Sequence, residues 1–228
     1  MPTRANPGRR AGLLYLLGSL PGFFGLLYVP ARLFVHGDAA ATAHNLVLHE
    51  TLFRLGVAAD LLGQTLFLFV ALALYRLLRD VSRSAALHML VLLSVSIPIA
   101  YFGEIFALAA LALARGEGSL ATFDEPHRIA LMTFFLHLRG SAFDVAGIFW
   151  GLWLFPLGWL VYRSGFIPRL LGVLLMIGCF AYLINAAMSL LAPEHANTVA
   201  LWLNPVELVE MVFMLWLIIM GANPEDRV

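Results

Sequence analysis

Carboxylates inside apolar stretches are the residues of this sequence most able to do chemistry. An ionisable group in the hydrocarbon core of a membrane is costly, so it usually faces a bundle interior, a charged partner or water. Five carboxylates have this setting: Asp60, Glu104, Asp144, Glu207 and Glu210. Their number exceeds what helix packing requires. They predict a site for a cation, a proton or an amphipathic molecule, or a set of acid–base groups.

Helical spacing gives each carboxylate polar neighbours, because residues three, four or seven apart share one helix face. The sets with this spacing are His137, Ser141 and Asp144; Asp60 and Gln64; Tyr101 and Glu104; Tyr182, Asn185 and Ser189; and Glu207 and Glu210. Arg139 and Arg54 are the available cations. The carboxylates outnumber them, so we expect some carboxyl groups to carry a proton at neutral pH.

The elements that position these residues are predicted to be membrane-spanning helices. Hydrophobic residues make up 61% of the chain and charged residues 12%, against about 25% charged residues in soluble domains. A span needs about 20 mostly apolar residues. Six stretches meet this requirement, at approximately 12–34, 52–78, 86–114, 138–162, 167–190 and 199–221. We therefore expect an all-α polytopic transmembrane helix bundle, with residues 1–228 as one domain.

Arginine placement predicts the orientation of the bundle. With the N-terminus inside, nine arginines lie on the cytoplasmic side: Arg4, Arg9, Arg10, Arg76, Arg79, Arg83, Arg163, Arg169 and Arg227. Those at or near the outer side are Arg32, Arg54, Arg115 and Arg128, with Arg139 near the start of the fourth span. This pattern follows the positive-inside rule, so both termini are expected to be cytoplasmic.

The predicted topology places the polar residues in one layer. At 1.5 Å per residue from the outer boundaries, the five carboxylates and Asn185 lie roughly 8–16 Å below the outer surface. The inner halves of the same helices have almost no polar residues. An acidic cavity is therefore predicted in the outer half, formed by Asp60, Glu104, His137, Arg139, Asp144, Asn185, Glu207 and Glu210. Its predicted outer rim consists of His49, Glu50 and Arg54.

The helices themselves carry three further predictions. Residues 126–162 are long enough for one continuous helix, with a weak point near Arg139-Gly140-Ser141. Prolines are expected to kink helices at Pro21, Pro98 and Pro156. Small residues four apart are expected to allow close helix approach at Gly18–Gly22 and at Gly147–Gly151.

Composition and motifs exclude several classes of function. The net charge is zero and no basic stripe is present, so no nucleic-acid partner is expected. Neither a His-Glu-x-x-His nor a Cys-x-x-Cys motif occurs, and we predict no metal site; His137, Asp144 and a glutamate from another helix form the alternative ligand set. No catalytic residue or cofactor is assigned, because Ser141 beside His137 and Asp144 sits on a helix turn, a poor setting for a nucleophile.

Two segments carry a family resemblance: His49-Glu-Thr-Leu-Phe-Arg-Leu-Gly-Val-Ala-Ala-Asp60 and Arg163-Ser-Gly-Phe-Ile-Pro-Arg-Leu-Leu-Gly172. With further agreement at 10–15, 37–41, 143–144 and 215–217, the chain resembles the bacterial membrane family known as domain of unknown function 4386 over nearly its whole length. The resemblance implies an integral protein of the bacterial inner membrane and no particular reaction. It implies matching positions at His49, Glu50, Arg54, Asp60, Asp144 and Glu210. Asn185 and Met220 depart from the pattern, which has an acidic and a basic residue there.

Three functions are compatible with these residues. The favoured one is the binding or transport of a small ligand or cation in the acidic cavity. The alternatives are an intramembrane enzyme acting on a lipid-like substrate through paired carboxylates, and an accessory or structural subunit whose polar layer docks a partner. The expected partners are the lipid bilayer and a small molecule or cation. The identity of the ligand and the oligomeric state stay open.

Cysteine labelling tests the orientation. In a Cys179→Ala background, a cysteine introduced at Ala121 is expected to react with a membrane-impermeant maleimide on intact cells, because residues 117–127 are predicted to lie outside. A cysteine introduced at Ser82 is the matched control and should react only after the cells are opened. Labelling at position 121 from the cytoplasmic side alone would overturn the orientation.

Overall fold

The computed structural model describes residues 6–226, and over these residues the chain forms helices and turns without strands. Its helices are α1 (Pro7–Gly22), α2 (Val29–Leu33), α3 (Ala39–Leu48), α4 (Glu50–Leu78), α5 (Arg83–Arg115), α6 (Glu125–Leu152), α7 (Leu154–Ser164), α8 (Arg169–Leu191), α9 (Pro193–Glu207) and α10 (Val209–Ile219). Arg4 and Arg227, two of the arginines behind the predicted orientation, lie outside the described residues. The orientation of the termini stays a prediction.

Within the described residues, six helical segments are long and apolar enough to cross a membrane. From the first span to the sixth they are Pro7–Leu33, Glu50–Leu78, Arg83–Arg115, Glu125–Ser164, Arg169–Leu191 and Pro193–Ile219. The predicted all-α fold with six spans is confirmed, and the chain is a multi-pass membrane protein. The fourth and sixth spans begin earlier than predicted, because each opens with polar residues that a hydropathy pattern leaves out.

The fourth span is interrupted, but not where the sequence predicted. α6 runs through Arg139-Gly140-Ser141 without a break, so the predicted weak point is wrong. The interruption lies at Trp153, just before Pro156. Proline has no N–H to donate to the carbonyl of Leu152, and its ring crowds that carbonyl. The N–H of Leu157 donates to the Trp153 carbonyl at 3.2 Å and carries the helical path onward.

The first span contains a wider turn that the sequence did not reveal. Phe23–Tyr28 form a π-helical segment between α1 and α2. Here the N–H of Val29 donates to the carbonyl of Phe24, five residues earlier, where a regular helix uses the fourth. Pro30 follows at once, and because it lacks an N–H it cannot continue the regular pattern. Wide turns of this kind often mark functional sites, and this one carries the buried Gly25.

An aspartate in the preceding loop fixes the start of α6. Oδ1 of Asp124 accepts a hydrogen bond from the backbone N–H of His127 at 3.1 Å and also contacts the imidazole of His127. The hydrogen bond from the His127 side chain lowers the pKa of Asp124. The carboxylate is thus held in its charged form at the helix N-terminus, where a negative charge is favourable.

Packing divides the described residues into two compact units, of which the first comprises residues 6–17, 66–97 and 144–226. Its buried core includes Tyr15, Leu74, Met89, Trp153 and Phe213. Within this unit α7 and α8 approach each other through two glycines. An ideal Cβ on Gly158 would lie 2.6 Å from the carbonyl oxygen of Gly172. A side chain at this crossing would push the two backbones apart.

The second unit comprises residues 18–65 and 98–143. Its buried core includes Val29, Leu46, Phe53, Leu111 and Met132. Here the first and second spans also meet through glycines. An ideal Cβ on Gly63 would lie 3.2 Å from the nitrogen of Gly22 and 3.3 Å from the carbonyl oxygen of Gly18. The small-residue spacing in the first span therefore brings two backbones close together, while a single domain over residues 1–228 stays a prediction.

Substitution of Gly158 tests this packing. Gly158→Ala is expected to cost about 1–3 kcal/mol of stability, since the new methyl group would overlap the backbone of Gly172. Gly147→Ala in the same span is the matched control, because no described atom beyond its own helix lies within 4 Å of its ideal Cβ. Its melting temperature in detergent should stay level or rise. Equal effects of the two substitutions would contradict the tight crossing.

Candidate functional site

In the second unit, three charged side chains from three spans meet. Arg139 donates from Nη2 to Asp60 Oδ2 at 3.1 Å and to Glu104 Oε1 at 2.9 Å. The side chains of Asp60 and Glu104 are 1% and 3% exposed, and that of Arg139 is 11% exposed. These residues form a buried group, the Arg139 triad, which joins α4, α5 and α6.

The Arg139 triad contains more acceptors than its one cation satisfies. Asp60 Oδ1, Glu104 Oε2 and Arg139 Nε are buried and lack a hydrogen-bond partner among the described residues. Both carboxyl groups contact one nitrogen atom, Nη2 of Arg139, so they lie side by side. With both ionised, the triad holds two negative charges and one positive charge. Such a buried excess of negative charge calls for a further positive one.

Apolar and backbone groups enclose the Arg139 triad. The guanidinium of Arg139 lies over the ring of Phe143, 4.8 Å from its centroid, which is a favourable cation–π contact. Gly25 of the π-helical segment packs against Asp60, and an ideal Cβ on Gly25 would lie 2.5 Å from Asp60 Cγ. The first span therefore covers this carboxyl group with bare backbone, which only glycine allows.

In the first unit, one face of α8 places three polar side chains beside three carboxylates. The neighbouring pairs follow one another along α8 and are Tyr182 with Glu210, Asn185 with Glu207, and Ser189 with Asp144. We call these six residues the acidic ladder. Its central bond, from Asn185 Nδ2 to Glu207 Oε1, is 2.6 Å long. Among the described residues, no arginine or histidine pairs with any of these three carboxylates.

The carboxylate of Glu210 has a second phenol partner that the sequence reading did not single out. The hydroxyl of Tyr15 donates to Glu210 Oε2 in a short hydrogen bond. Tyr15 is buried, and its ring centroid lies 5.3 Å from that of Phe67 and 6.2 Å from that of Trp153. The available signal was a hydroxyl-bearing aromatic residue inside an apolar span, since a buried tyrosine usually needs a partner for its O–H.

An opening lies beside the acidic ladder at Gly147 of α6. Gly151, one turn along, packs tightly on α8, with an ideal Cβ 2.7 Å from the Cβ of Tyr182. One turn in the other direction, Asp144 lies beside Ser189 of α8. Between these two contacts, no described atom beyond the Gly147 helix lies within 4 Å of its ideal Cβ. We call this space the Gly147 recess. It lies on α6 between the contacts that Asp144 and Gly151 make with α8.

His137, which was predicted to join the acidic cavity, lies at the surface. Its side chain is exposed and lines a surface groove of about 460 Å³ together with His36 and Leu136. Residues seven apart share a helix face but differ by about 10 Å along the axis, so this spacing alone does not bring two side chains into contact. Among the described residues, no three His, Cys, Asp or Glu side chains lie close enough to hold one metal ion.

The predicted rim residues divide between an ion-pair network and a helix end. Glu50 Oε1 accepts hydrogen bonds from Arg54 Nε and from Arg115 Nη1, both at 2.7 Å. Arg115 also binds Glu117 at 2.7 Å, so this network ties the start of α4 to the end of α5. His49 is exposed and ends α3 through its backbone N–H. Arg115 was missed as a member because charge pairing across two spans has no local sequence signal.

Comparison with known proteins decides the family. Residues 10–221 match the family described as "Domain of unknown function (DUF4386)". The chain belongs to this family. An uncharacterised protein of Archaeoglobus fulgidus is 30% identical to this DUF4386 chain over 159 residues, which cover 70% of the chain and 79% of the relative. No solved structure matches the chain. The family expected from the motifs is thereby confirmed.

Removal of the central cation tests the Arg139 triad of this DUF4386 protein. Arg139→Met is expected to lower the stability by about 3–5 kcal/mol, because two buried carboxyl groups lose their charged partner. Arg54→Met is the control, since its ion pair with Glu50 is partly exposed to solvent and such pairs contribute little to stability. Thermal unfolding in detergent measures both. Equal, small losses of stability in the two variants would show that the triad does not stabilise the fold.

Proposed function

We propose that this DUF4386 protein binds a small organic cation carrying N–H donors at the acidic ladder, as a binding or transport protein of a bacterial inner membrane. One observation carries the proposal. Three carboxylates from two spans face one side of α8, and their contacts among the described residues are neutral donors. A ligand that brings positive charge would complete this group.

The charge balance of the acidic ladder favours a cation. Hydroxyl and amide groups stabilise a carboxylate, but they do not neutralise it. In a membrane, unneutralised charge is costly. Asp144, Glu207 and Glu210 are each only partly buried, so a ligand can reach them. The ladder differs in this respect from the Arg139 triad, which supplies its own cation.

The spacing of the ladder favours an organic cation over a bare metal ion. Tyr182 and Ser189 are separated by about 10 Å along α8, at 1.5 Å per residue. A bare metal ion binds oxygen atoms at about 2–2.6 Å, so it would reach one rung at a time. A ligand with several N–H donors spans more than one rung.

An unused acceptor supports a ligand with N–H groups. Asn185 gives its Nδ2 hydrogens to Glu207 and to Asn204, the latter at 3.2 Å. Its Oδ1 is buried and has no hydrogen-bond partner among the described residues. A flipped amide would turn Oδ1 toward the Glu207 carboxylate, which is unfavourable, so the orientation follows from the geometry. An N–H donor of the ligand would satisfy this oxygen.

The competing interpretation is structural. The same polar pairs attach α8 to its neighbouring helices, and hydrogen bonds between spans contribute about 0.6 kcal/mol each on average. An accessory subunit would need nothing more from them. The two interpretations differ in one respect: only a ligand site depends on the space beside Gly147.

A thermal-shift experiment separates the two. Purified protein is heated with a series of diaminoalkanes and monoamines, with tetramethylammonium as a cation without N–H donors, and with sodium chloride at equal ionic strength. At a concentration 100 times its Kd, a specific ligand adds about 2.7 kcal/mol of stability. We expect stabilisation by one or more of the amines, and none by tetramethylammonium or sodium.

Two glycines of α6 supply matched variants for this experiment. Gly147→Leu is expected to fill the Gly147 recess, keep the protein folded and abolish the shift caused by the amines. Gly140→Leu is the control, because its ideal Cβ is equally free of neighbours. An amine shift that persists in Gly147→Leu would contradict the proposed site. No shift with any amine, together with lower stability of Asp144→Asn and Glu207→Gln, would favour the structural interpretation.

A further inference from the structure

We infer that the Arg139 triad is a proton-binding centre in which Asp60 and Glu104 share one proton. This centre lies in the second unit and uses none of the residues proposed to bind the organic cation. The inference goes beyond the proposed function, because it assigns a second ligand, the proton, to a different group of residues.

The Arg139 triad has an unbalanced charge. Two carboxyl groups and one guanidinium carry a net charge of minus one when all are ionised. The carboxyl side chains are 1% and 3% exposed, so solvent cannot screen this charge. Buried charges are neutralised when no partner is present, and uptake of one proton leaves the triad without net charge.

Each carboxyl group of the triad has one oxygen atom without a hydrogen-bond partner in the described part of the chain. Oδ2 of Asp60 and Oε1 of Glu104 are held by Arg139, while the other oxygen of each carboxyl has no partner among the described residues. The two carboxyl groups meet at one nitrogen atom, Nη2 of Arg139. Two carboxylates cannot hydrogen-bond, since each only accepts, but a carboxylic acid donates to a carboxylate. A single shared proton therefore removes the charge excess and supplies a hydrogen-bond donor that two carboxylates lack.

A metal cation is the alternative to a proton as the ligand of the Arg139 triad. Na⁺ or Li⁺ would have to sit beside a guanidinium already 2.9–3.1 Å from both carboxyl groups, and like charges repel. The backbone of Gly25 also occupies the space over Asp60, where even an added methyl group would lie 2.5 Å from Cγ. A proton needs no such space. The geometry therefore favours the smallest cation.

The groups that face the shared proton come from every helix that packs against it. α4 contributes Asp60, α5 contributes Glu104 and α6 contributes Arg139. The first span contributes the backbone at Gly25 and no charged side chain. One basic group thus stands against two acidic ones. The proton is held until the medium becomes alkaline enough to remove it against the surrounding negative charge.

Carbodiimide labelling tests the inference directly. Dicyclohexylcarbodiimide is apolar, enters membranes and adds to protonated carboxylic acids but not to carboxylates. The protein in lipid nanodiscs is treated between about pH 5 and pH 9, a range in which solvated carboxyl groups are ionised, and the labelled residue is located by peptide mass spectrometry. We expect labelling at Asp60 or Glu104 at neutral pH, with a rate that falls at high pH and does not change with sodium or lithium.

Two variants separate a shared proton from mere accessibility. In Asp60→Asn, one carboxylate remains for one guanidinium, so no proton is needed and labelling of Glu104 should fall at least tenfold. In Glu104→Gln, labelling of Asp60 should fall in the same way. Asp80→Asn is the control, because Asp80 is exposed and should leave the triad labelling unchanged. Infrared difference spectra between the two pH limits report the protonated carboxyl band without any variant.

The outcomes are distinct. Absence of both the label and the infrared band in folded wild-type protein would overturn the proton, and so would full labelling of Glu104 in Asp60→Asn. Protection by sodium or lithium would replace the proton by a metal cation. None of these results bears on the amine shifts at the acidic ladder, which involve other residues, so failure of one proposal leaves the other standing.

Discussion

A carboxylate inside a membrane has to find its partners within the chain, because lipid supplies none. This constraint organises both polar groups of the protein. In the Arg139 triad the partner is a cation from a third helix, which the ring of Phe143 also contacts. In the acidic ladder the partners are neutral donors on α8. The tight glycine contacts serve the same constraint, since a carboxyl group as short as that of Asp60 meets its partners only where backbones lie close together.

The distribution of polar residues along the spans could be predicted from the sequence. Helical periodicity placed Tyr182, Asn185 and Ser189 on one face, and in the structure that face lies beside Glu210, Glu207 and Asp144. Such prediction works because helices in a membrane keep their period wherever the backbone bonds are intact. The family was predictable for a different reason, namely the specific order of arginine, glycine and proline between residues 163 and 172.

The partners across spans could not be predicted. Five acidic residues and two arginines allow many pairings, and sequence spacing within one helix says nothing about the rotation of its neighbours. For this reason Tyr15 went unnoticed although it binds Glu210. The grouping of His137 with Asp144 rested on spacing within one helix and stays a prediction. The wide turn at Phe23–Tyr28 also escaped, because a proline at position 30 is compatible with a kink, a break or a π-helical turn.

The distance between partners along the chain sets the order in which they meet during synthesis. Tyr15 precedes Glu210 by 195 residues, so the last carboxylate enters a membrane in which its phenol donors are already present. Asp60 is synthesised before its partner, because Arg139 follows 79 residues later. Until the fourth span arrives, both carboxyl groups of the triad are in the membrane without a cation. A nascent chain that stops at that stage keeps two acidic groups in the membrane with no guanidinium to pair with them.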